Sequence, residues 1–401
     1  MRNFFACLAA FIGGALNFKA IFQAPLSILM GVNTVAAAGL TPQQWDDKFF
    51  TEYIRANRFS KYMGKSENNI IQLKDDLTAK PGKTVTFALV NAITGSGKRG
   101  SATLVGNEQK MNSRSCKVTV DKVREAVVVP EIDEQYSAIS LRDASKVVLK
   151  NWALALTKTD IINGLGQVSG DYQSGIKTIW DNMAANSVVQ DAWALNNVDR
   201  VLFGASKANY AADFSAALLN VDVAGDLISV ARLDLMKVLA KTASPIIPPT
   251  MVNGDEEWYV VFMGTRNFTT YKNDPVIVAA NRDARIRGVD NPLFTGGDLL
   301  YNGMIIREIP EITVLTGAGA TAVDVEPVFL VGAQALGIAW AQHSKTITDD
   351  TDYGDKQGVA VQEIRGIQKL IFGTDANVDT TAPKDNGVFT GFFAAPPLTA
   401  A

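Results

Sequence analysis

The feature that most limits how this chain can fold is a long β-hairpin between residues 70 and 125 with little apolar material of its own. After a Pro-Gly turn, the β-rich run 84–90 predicts its first strand. The returning strand is expected to start at 101–105, and apolar and polar residues alternate over 116–121. Isolated hairpins are marginally stable in water, so this one is expected to lie on another surface.

A second strong local signal starts a long helix at Ser140. Ser140-Leu-Arg-Asp143 has the spacing of a capping box, and the helix is expected to run to Gly164. Its predicted apolar stripe is Leu141, Val148, Trp152 and Leu156. Its basic residues at four-residue spacing are Arg142, Lys146 and Lys150. A solvated or salt-bridged helix face is the usual outcome for such a stripe, and contact with phosphate is the alternative.

The rest of the chain separates into a helical part and a β-rich part. Helices are expected at 208–219 and from Asp226, a good N-cap residue, to just before Pro245. Short apolar runs typical of buried strands follow at 258–263, 276–279, 304–306 and 328–331. Helices and strands that are segregated along the chain predict an α+β fold.

The supply of ligand and catalytic residues limits the possible chemistry. The 401 residues include one histidine, His343, and two cysteines, Cys7 and Cys116. These side chains are too few for a closed zinc site without carboxylates, and they make no disulfide framework. The 38 Lys and Arg and 41 Asp and Glu give a net charge of −3, so bulk attraction to nucleic acid is not expected. The composition leans away from catalysis and predicts no cofactor.

Three short motifs resemble ligand sites but lack parts that the chemistry needs. Gly95-Ser-Gly-Lys-Arg99 lacks the upstream glycine and the Ser/Thr of a P-loop, so a basic hairpin tip is the favoured interpretation. The glycines of 164–170 miss the dinucleotide-binding spacing and follow a helix. An acidic group that departs from EF-hand spacing is Asp349, Asp350, Asp352 and Asp355. A solvated acidic turn and a structural cation site are both compatible with it.

The apolar N-terminal segment has two interpretations. Arg2 precedes the apolar run 4–16, and Ala36 and Ala38 form the small-residue pattern of a signal-peptide cleavage site. However, Lys19 interrupts the apolar segment well before that pattern. The preferred interpretation is an arm that needs a partner surface to cover it. N-terminal sequencing of the mature protein distinguishes the two.

Several segments, each weak alone, occur in one order along the chain: 63–71, 73–77, 81–87, 104–111, 291–296, 301–303, 331–335, 352–354 and 364–369. The fourth contains Leu-Val-Gly-Asn-Glu, and the eighth is Asp-Tyr-Gly. In this order they resemble the major capsid proteins of tailed phages, in the N4-type branch with the HK97-like fold. The segment before residue 40 departs from that pattern because it is longer and more apolar.

The resemblance implies an α+β, HK97-like phage capsid fold. Its expected parts are an N-terminal arm and first helix (1–67), an extended loop (68–125), a peripheral domain (126–205 and 338–365) with a spine helix at about 140–164, an axial domain (206–337 and 366–380) and a C-terminal tail (381–401). The implied function is self-assembly, through hexamers and pentamers, into the icosahedral shell around a phage double-stranded DNA genome. The implied location is the virion, after assembly in the host cytoplasm.

The resemblance also implies partners. Scaffolding, portal and decoration proteins are expected, packaged DNA is met only by non-specific proximity, and no membrane, cofactor, metal or catalytic residue is implied. The candidate contact residues between subunits are Lys98, Arg99, Glu108, Arg142, Lys146 and Lys150. Lys98 and Arg99 are expected to pair with acidic groups of a neighbour. Rival interpretations are a secreted or surface self-assembling layer protein and an enzyme that uses His343 or the acidic group.

Overall fold

The computed structural model describes residues 57–79, 81–90, 93, 96–101, 103–108, 111, 113–181, 187–252, 254–284, 294–295, 298–373 and 382–397. The predicted arm up to residue 56 and its signal-peptide alternative lie outside these residues. The helices of the described part are α1 (Asp76–Ala79), α2 (Glu131–Tyr136), α3 (Leu141–Leu165), α4 (Ser187–Asn196), α5 (Phe214–Leu219), α6 (Val230–Thr242), α7 (Thr265–Lys272) and α8 (Pro275–Ala284).

Its strands are β1 (Met63–Gly64), β2 (Ile71–Lys74), β3 (Thr84–Val90), β4 (Ser113–Thr119), β5 (Asp121–Pro130), β6 (Gln167–Ser169), β7 (Lys177–Thr178), β8 (Val201–Phe203), β9 (Thr250–Val252), β10 (Glu256–Met263), β11 (Phe294–Thr295), β12 (Asp298–Tyr301), β13 (Met304–Glu308), β14 (Val325–Val331), β15 (Leu336–Thr351), β16 (Lys356–Lys369), β17 (Ile371–Phe372), β18 (Lys384–Asp385) and β19 (Val388–Ala394).

Helix α3 begins where the capping box predicts. The Ser140 hydroxyl accepts a hydrogen bond from the Asp143 amide at 3.3 Å, which satisfies one of the free donors of the first turn. The predicted apolar stripe is wrong in register, because Val148 is 52% exposed whereas Leu149 is 1% exposed. The small residue Ala153 lies on the buried face with Leu149, and this allows the helix to approach the underlying strands closely.

The first sheet carries α3 and has the strand order β1-β2-β15-β16-β5. Strands β15 and β16 form a long antiparallel hairpin that is paired from Leu336 and Lys369 at its base to Thr351 and Lys356 near its turn. Strand β5 pairs antiparallel with β16, and β2 pairs parallel with β15. Because β15 and β16 extend well past β2, the turn end of this hairpin projects as an exposed extension.

The second sheet has the order β11-β12-β13-β10-β14-β19-β8, with β9 paired to β10. Every residue of β14 and β19 is buried. Side chains of β19 alternate between two apolar clusters, since Phe389 and Phe393 pack in one cluster and Phe392 in the other. This sheet is therefore covered on both faces, as its continuous apolar runs predict.

Four further predictions about local structure are wrong. Residues 276–279 lie in α8 rather than in a strand, because Asp274 accepts the Val276 amide at 2.9 Å and Pro275 suits a first helical turn. The segment 208–219 is α-helical only in its second half, as α5, whose cap is Asp213, and it begins in a short 3-10 helix at 207–209. Asp226 caps no helix, since α6 begins after Ser229. Residues 388–394 are a central strand, not part of a tail, because their apolar side chains are needed on both faces of the second sheet.

The hairpin predicted between 70 and 125 is formed by β3 and β4, paired from Thr84 and Thr119 to Val90 and Ser113. Its base is less dependent on a partner than predicted, because Phe87 and Val118 are buried in a cluster with residues of β15 and β17. Residues 103–108 form turns and irregular structure rather than the start of the returning strand. The described residues between Val90 and Ser113 are all exposed.

Among the described helices, none combines the length and the apolar character that crossing a membrane requires.

Candidate assembly surfaces

The tip of the β3–β4 hairpin, here called the hairpin tip (the described residues 93, 96–101, 103–108 and 111), presents a groove of about 420 Å³. Its lining residues are Ile93, Ser96, Gly97, Lys98, Leu104, Asn107 and Glu108. Leu104 is 64% exposed and Val105 is 81% exposed, so large apolar side chains face solvent here. Exposed apolar surface of this kind marks sites that contact other proteins.

The predicted site residues at the hairpin tip differ in their surroundings. Lys98 and Arg99 are exposed, and Lys98 lies in the groove wall. The Glu108 carboxylate accepts the Gly106 amide at 2.8 Å. Gly106 has φ +82°, a conformation that glycine tolerates best, so Glu108 also stabilises a local turn.

The three residues of the predicted basic stripe on α3 differ in their contacts. Arg142 donates to the Gln357 side chain at 3.1 Å and is thereby held against β16. Lys146 bridges to Asp143 at 2.9 Å, and this bond lowers the pKa of the Asp143 carboxyl. Lys150 is exposed and lines, with Lys146, a groove of about 530 Å³ between α3 and β15–β16. The stripe is thus partly salt-bridged and partly free to meet a partner.

The end of β15 and the turn that joins it to β16, together called here the acidic turn (residues 349–355), hold the predicted acidic group. Its four aspartates are exposed, and Lys356 bridges to Asp352 at 2.9 Å. Within the part of the chain that is described, no set of three or more His, Cys, Asp or Glu side chains is arranged to hold a metal ion. Tyr353 projects from this turn with its whole side chain in solvent, a feature that the sequence analysis missed.

The structure also contains a buried ion pair that the sequence does not predict. Lys369, at the end of β16, lies 2.8 Å from Asp385 in β18, and the Trp193 indole donates to the same carboxylate at 3.1 Å. Burial lowers the pKa of Lys369, and Asp385 opposes that shift. Arg200 donates to the backbone carbonyls of Asp385 and Asn386. No local pattern predicts this contact, because its members come from distant parts of the chain.

A second buried carboxylate, Glu326 in β14, accepts the Asn267 amide at 2.7 Å in the first turn of α7. Burial raises the pKa of Glu326 to about 7, while this hydrogen bond and nearby Arg266 act in the opposite direction. Arg266 in turn bridges to Asp324 at 2.6 Å and lowers the pKa of that carboxyl. These contacts fix α7 to the second sheet.

His343, on which one enzymatic alternative rests, stacks on Trp340 with ring centroids 5.0 Å apart. Its nearest acidic neighbour is Asp75, at 3.8 Å. The adjacent Ser344 hydroxyl donates to Glu363 at 2.8 Å instead of to the imidazole. This arrangement brings together no nucleophile and base of the kind that catalysis needs.

The exposed hairpin tip, acidic turn and α3 face are features of a protein that contacts other proteins through extended surfaces. A family model for phage capsid proteins matches residues 33–395, so the chain belongs to the phage capsid protein family. It is 27% identical over 375 residues to the major capsid protein of Pseudomonas phage KPP25, which covers 89% of this chain and 97% of that protein.

Solved capsid structures share the fold. A chain of the cyanophage Pam1 capsid matches with a TM-score of 0.77 and 33% identity, covering 91% of this chain and 99% of that one. The capsid of Ralstonia phage GP4 matches with a TM-score of 0.69 and 19% identity, covering 92% and 100%. The α+β, HK97-like capsid fold is thereby confirmed, and the N4-type branch stays a prediction.

Proposed function

We propose that copies of this chain assemble, through hexamers and pentamers, into the icosahedral shell that encloses the double-stranded DNA of a phage. Family membership and the named capsid relatives support this proposal. The observation that carries it is the hairpin tip, where Leu104, Val105 and Met111 are 64%, 81% and 70% exposed. Apolar surface on a thin extension is stabilised when another subunit covers it.

The parts of such a subunit follow the two sheets. We assign 1–67 to an arm and 68–125 to an extended loop. A peripheral domain (126–205 and 338–365) holds α3 with the projecting part of the first sheet, and an axial domain (206–337 and 366–380) holds most of the second. Strand β19 joins the axial domain, because it pairs with β14 along its whole length.

The proposed contact residues lie on two surfaces of the subunit. At the hairpin tip they are Lys98, Arg99 and Glu108, and on α3 they are Arg142, Lys146 and Lys150. All but Arg142 are exposed, so they are available to charged groups of a neighbour. Charged rims of this kind set the specificity and rate of association more than its affinity.

Many modest contacts hold a shell of this kind together. Each standard interface buries on the order of 1,600 Å², and a subunit that makes several at once gains from multivalency. The net charge of −3 fits a container wall that meets packaged DNA only by proximity. Scaffolding, portal and decoration proteins are the further proposed partners, and the proposed location is the virion, after assembly in the host cytoplasm.

The proposed role is structural rather than catalytic, and needs no cofactor. The stacking of His343 on Trp340 and the engagement of Ser344 by Glu363 support this, since both side chains have other contacts.

Electron microscopy of the purified chain tests the shell directly. Negative staining of material expressed alone, or together with the neighbouring head genes of its phage, is expected to show closed isometric particles. A well-behaved monomer under both conditions contradicts the proposal.

A variant that lacks the hairpin tip is the matched control for the electron microscopy experiment. Val90 and Ser113 face each other at the end of the β3–β4 ladder, so an Asn-Gly linker between them closes the hairpin with a two-residue turn. This variant retains the buried base of Phe87 and Val118. It is expected to fold and to form no particles.

A further inference from the structure

Tyr353 is the side chain whose position the fold explains least. It is fully exposed, and its φ of 56° follows the φ of 57° at Asp352. Bulky L-residues rarely adopt this left-handed conformation, and an aromatic ring in water forgoes the gain of burial. Since neither the backbone nor the solvent favours a tyrosine here, the geometry indicates a surface that binds it.

The surroundings of Tyr353 are negatively charged. The exposed aspartates Asp349, Asp350 and Asp355 flank it, and of the nearby cations Lys356 is already bridged to Asp352. Helix α2 brings three further acidic residues to this end of the sheet, because the amide of its first residue donates to the Asp355 carbonyl at 2.7 Å. The acidic turn therefore presents a projecting aromatic side chain that is surrounded by negatively charged carboxylates.

The hairpin tip has the complementary properties. Its groove of about 420 Å³ has apolar walls from Ile93 and Leu104, each 64% exposed, and Lys98 stands in the wall beside Arg99. Glu108, the carboxylate in this lining, is engaged by the Gly106 amide. The groove offers an apolar pocket with a positive edge, which suits an aromatic anchor that carries acidic neighbours.

We propose that the Tyr353 turn of one subunit inserts into the hairpin-tip groove of a second copy of this chain, with its aspartates facing Lys98 and Arg99. The partner is a second copy because Tyr353, fully exposed, touches no groove of its own subunit. The two surfaces differ, so the contact is heterologous and repeats around a ring of subunits. This inference rests on the proposed shell function, and names the surface that the hairpin tip meets there.

Photo-crosslinking in assembled particles tests the contact. A benzoylphenylalanine is incorporated at position 353, particles are purified and irradiated, and products are separated on denaturing gels. We expect a species of twice the subunit mass, whose crosslinked peptides map to residues 93–111. The control carries the same probe at Val238 on α6, which is 56% exposed and far from either surface in sequence, and it is expected to give no link to 93–111.

A charge exchange tests the pairing independently. The double variant Lys98→Glu with Arg99→Glu is expected to lower particle yield at least about tenfold, because like charges then face each other. Adding Asp349→Lys and Asp350→Lys to the same chain is expected to restore particles. The matched control adds Asp255→Lys and Glu256→Lys instead, at exposed positions where β10 begins, and restores none.

The outcomes separate this contact from the shell function. Particles in which position 353 links to another segment, or to none, overturn the docking and leave the shell intact. Charge-reversed chains that fold normally but are not rescued by the aspartate exchange also overturn it. If the parent chain forms no particles under any of the conditions above, the shell function fails and this inference fails with it.

Discussion

Lys369 and Asp385 form an ion pair at 2.8 Å in which the Lys369 side chain is fully buried and that of Asp385 is 2% exposed. The pair joins the end of the long β15–β16 hairpin to the segment that leads into β19. It also holds the Trp193 indole of α4 through the same carboxylate. The first sheet, α4 and the two-stranded pair β17–β18 therefore meet at one charged contact.

Breaking this pair is expected to be costly. Asp385→Asn retains an oxygen for the Trp193 indole but leaves the Lys369 charge unpaired, which lowers the free energy of unfolding by about 3–5 kcal/mol. Urea unfolding measures this. Adding Lys369→Met removes the stranded charge, so the double variant is expected to be more stable than Asp385→Asn alone. A double variant that is less stable than the single one contradicts this account.

The buried carboxyl of Glu326 makes stability depend on pH. Its pKa of about 7 in the folded protein exceeds the ordinary 4.5, so the folded state holds the proton more tightly than the unfolded state. The contribution of Glu326 to the free energy of unfolding is therefore greatest below pH 4.5, falls as pH rises to 7 and is then level, a loss of about 3 kcal/mol. Glu326→Gln, whose amide oxygen still accepts the Asn267 amide, is expected to remove this slope.

Urea unfolding at four pH values between 5 and 8 checks the Glu326 prediction. Glu256→Gln, at an exposed position of β10, is the control and is expected to retain the slope of the parent. Equal slopes in Glu326→Gln and in the parent would mean that another group is responsible.

The register of α3 gives a prediction from two adjacent residues. Leu149→Ala is expected to lower the free energy of unfolding by about 2–5 kcal/mol, because it leaves a cavity against Val359 and Val361. Val148 precedes Leu149 and is 52% exposed. Val148→Ala is therefore expected to change the free energy of unfolding by less than about 0.5 kcal/mol. Chemical denaturation of both variants tests this, and comparable losses would mean that the helix packs by the other face.

Glu108 is proposed to contact a neighbouring subunit as well as its own turn. Glu108→Ala is expected to lower particle yield while changing the free energy of unfolding of the unassembled subunit by less than about 0.5 kcal/mol, since the turn that it stabilises lies on the exposed tip. Glu108→Gln retains an acceptor for the Gly106 amide but loses the charge. A yield as low as that of the alanine variant indicates an ion pair, and normal assembly of both variants rules out the contact.

Local signals in the sequence were sufficient where the structure depends on neighbours in the chain. Ser140 and Asp143 mark the start of α3 because capping is a contact across three residues. The exposure of Lys98 and Arg99 likewise follows from a glycine-rich turn. The apolar run 276–279 led to a wrong prediction because four apolar residues fit a strand or a helix equally well. The preceding Asp274-Pro275 was the signal that favoured the helix.

Long-range contacts explain what the sequence did not reveal. The face of α3 that is buried depends on the strands beneath it, so spacing alone selected Val148 instead of Leu149. The pairing of Lys369 with Asp385 depends on how the first sheet packs against the β17–β18 pair. The sequence shows Tyr353 within an Asp- and Gly-rich turn, where an aromatic residue is unusual. Its complete exposure, however, is a property of the folded hairpin.

The position of β19 has a consequence for synthesis on the ribosome. This strand, the last of those described, lies between β14 and β8, and β8 belongs to a segment made almost two hundred residues earlier. Because domains fold as their residues emerge, β8 and β14 remain unjoined until residue 388 has left the exit tunnel. A polypeptide that ends before β19 therefore lacks the strand that joins β14 to β8 in the second sheet.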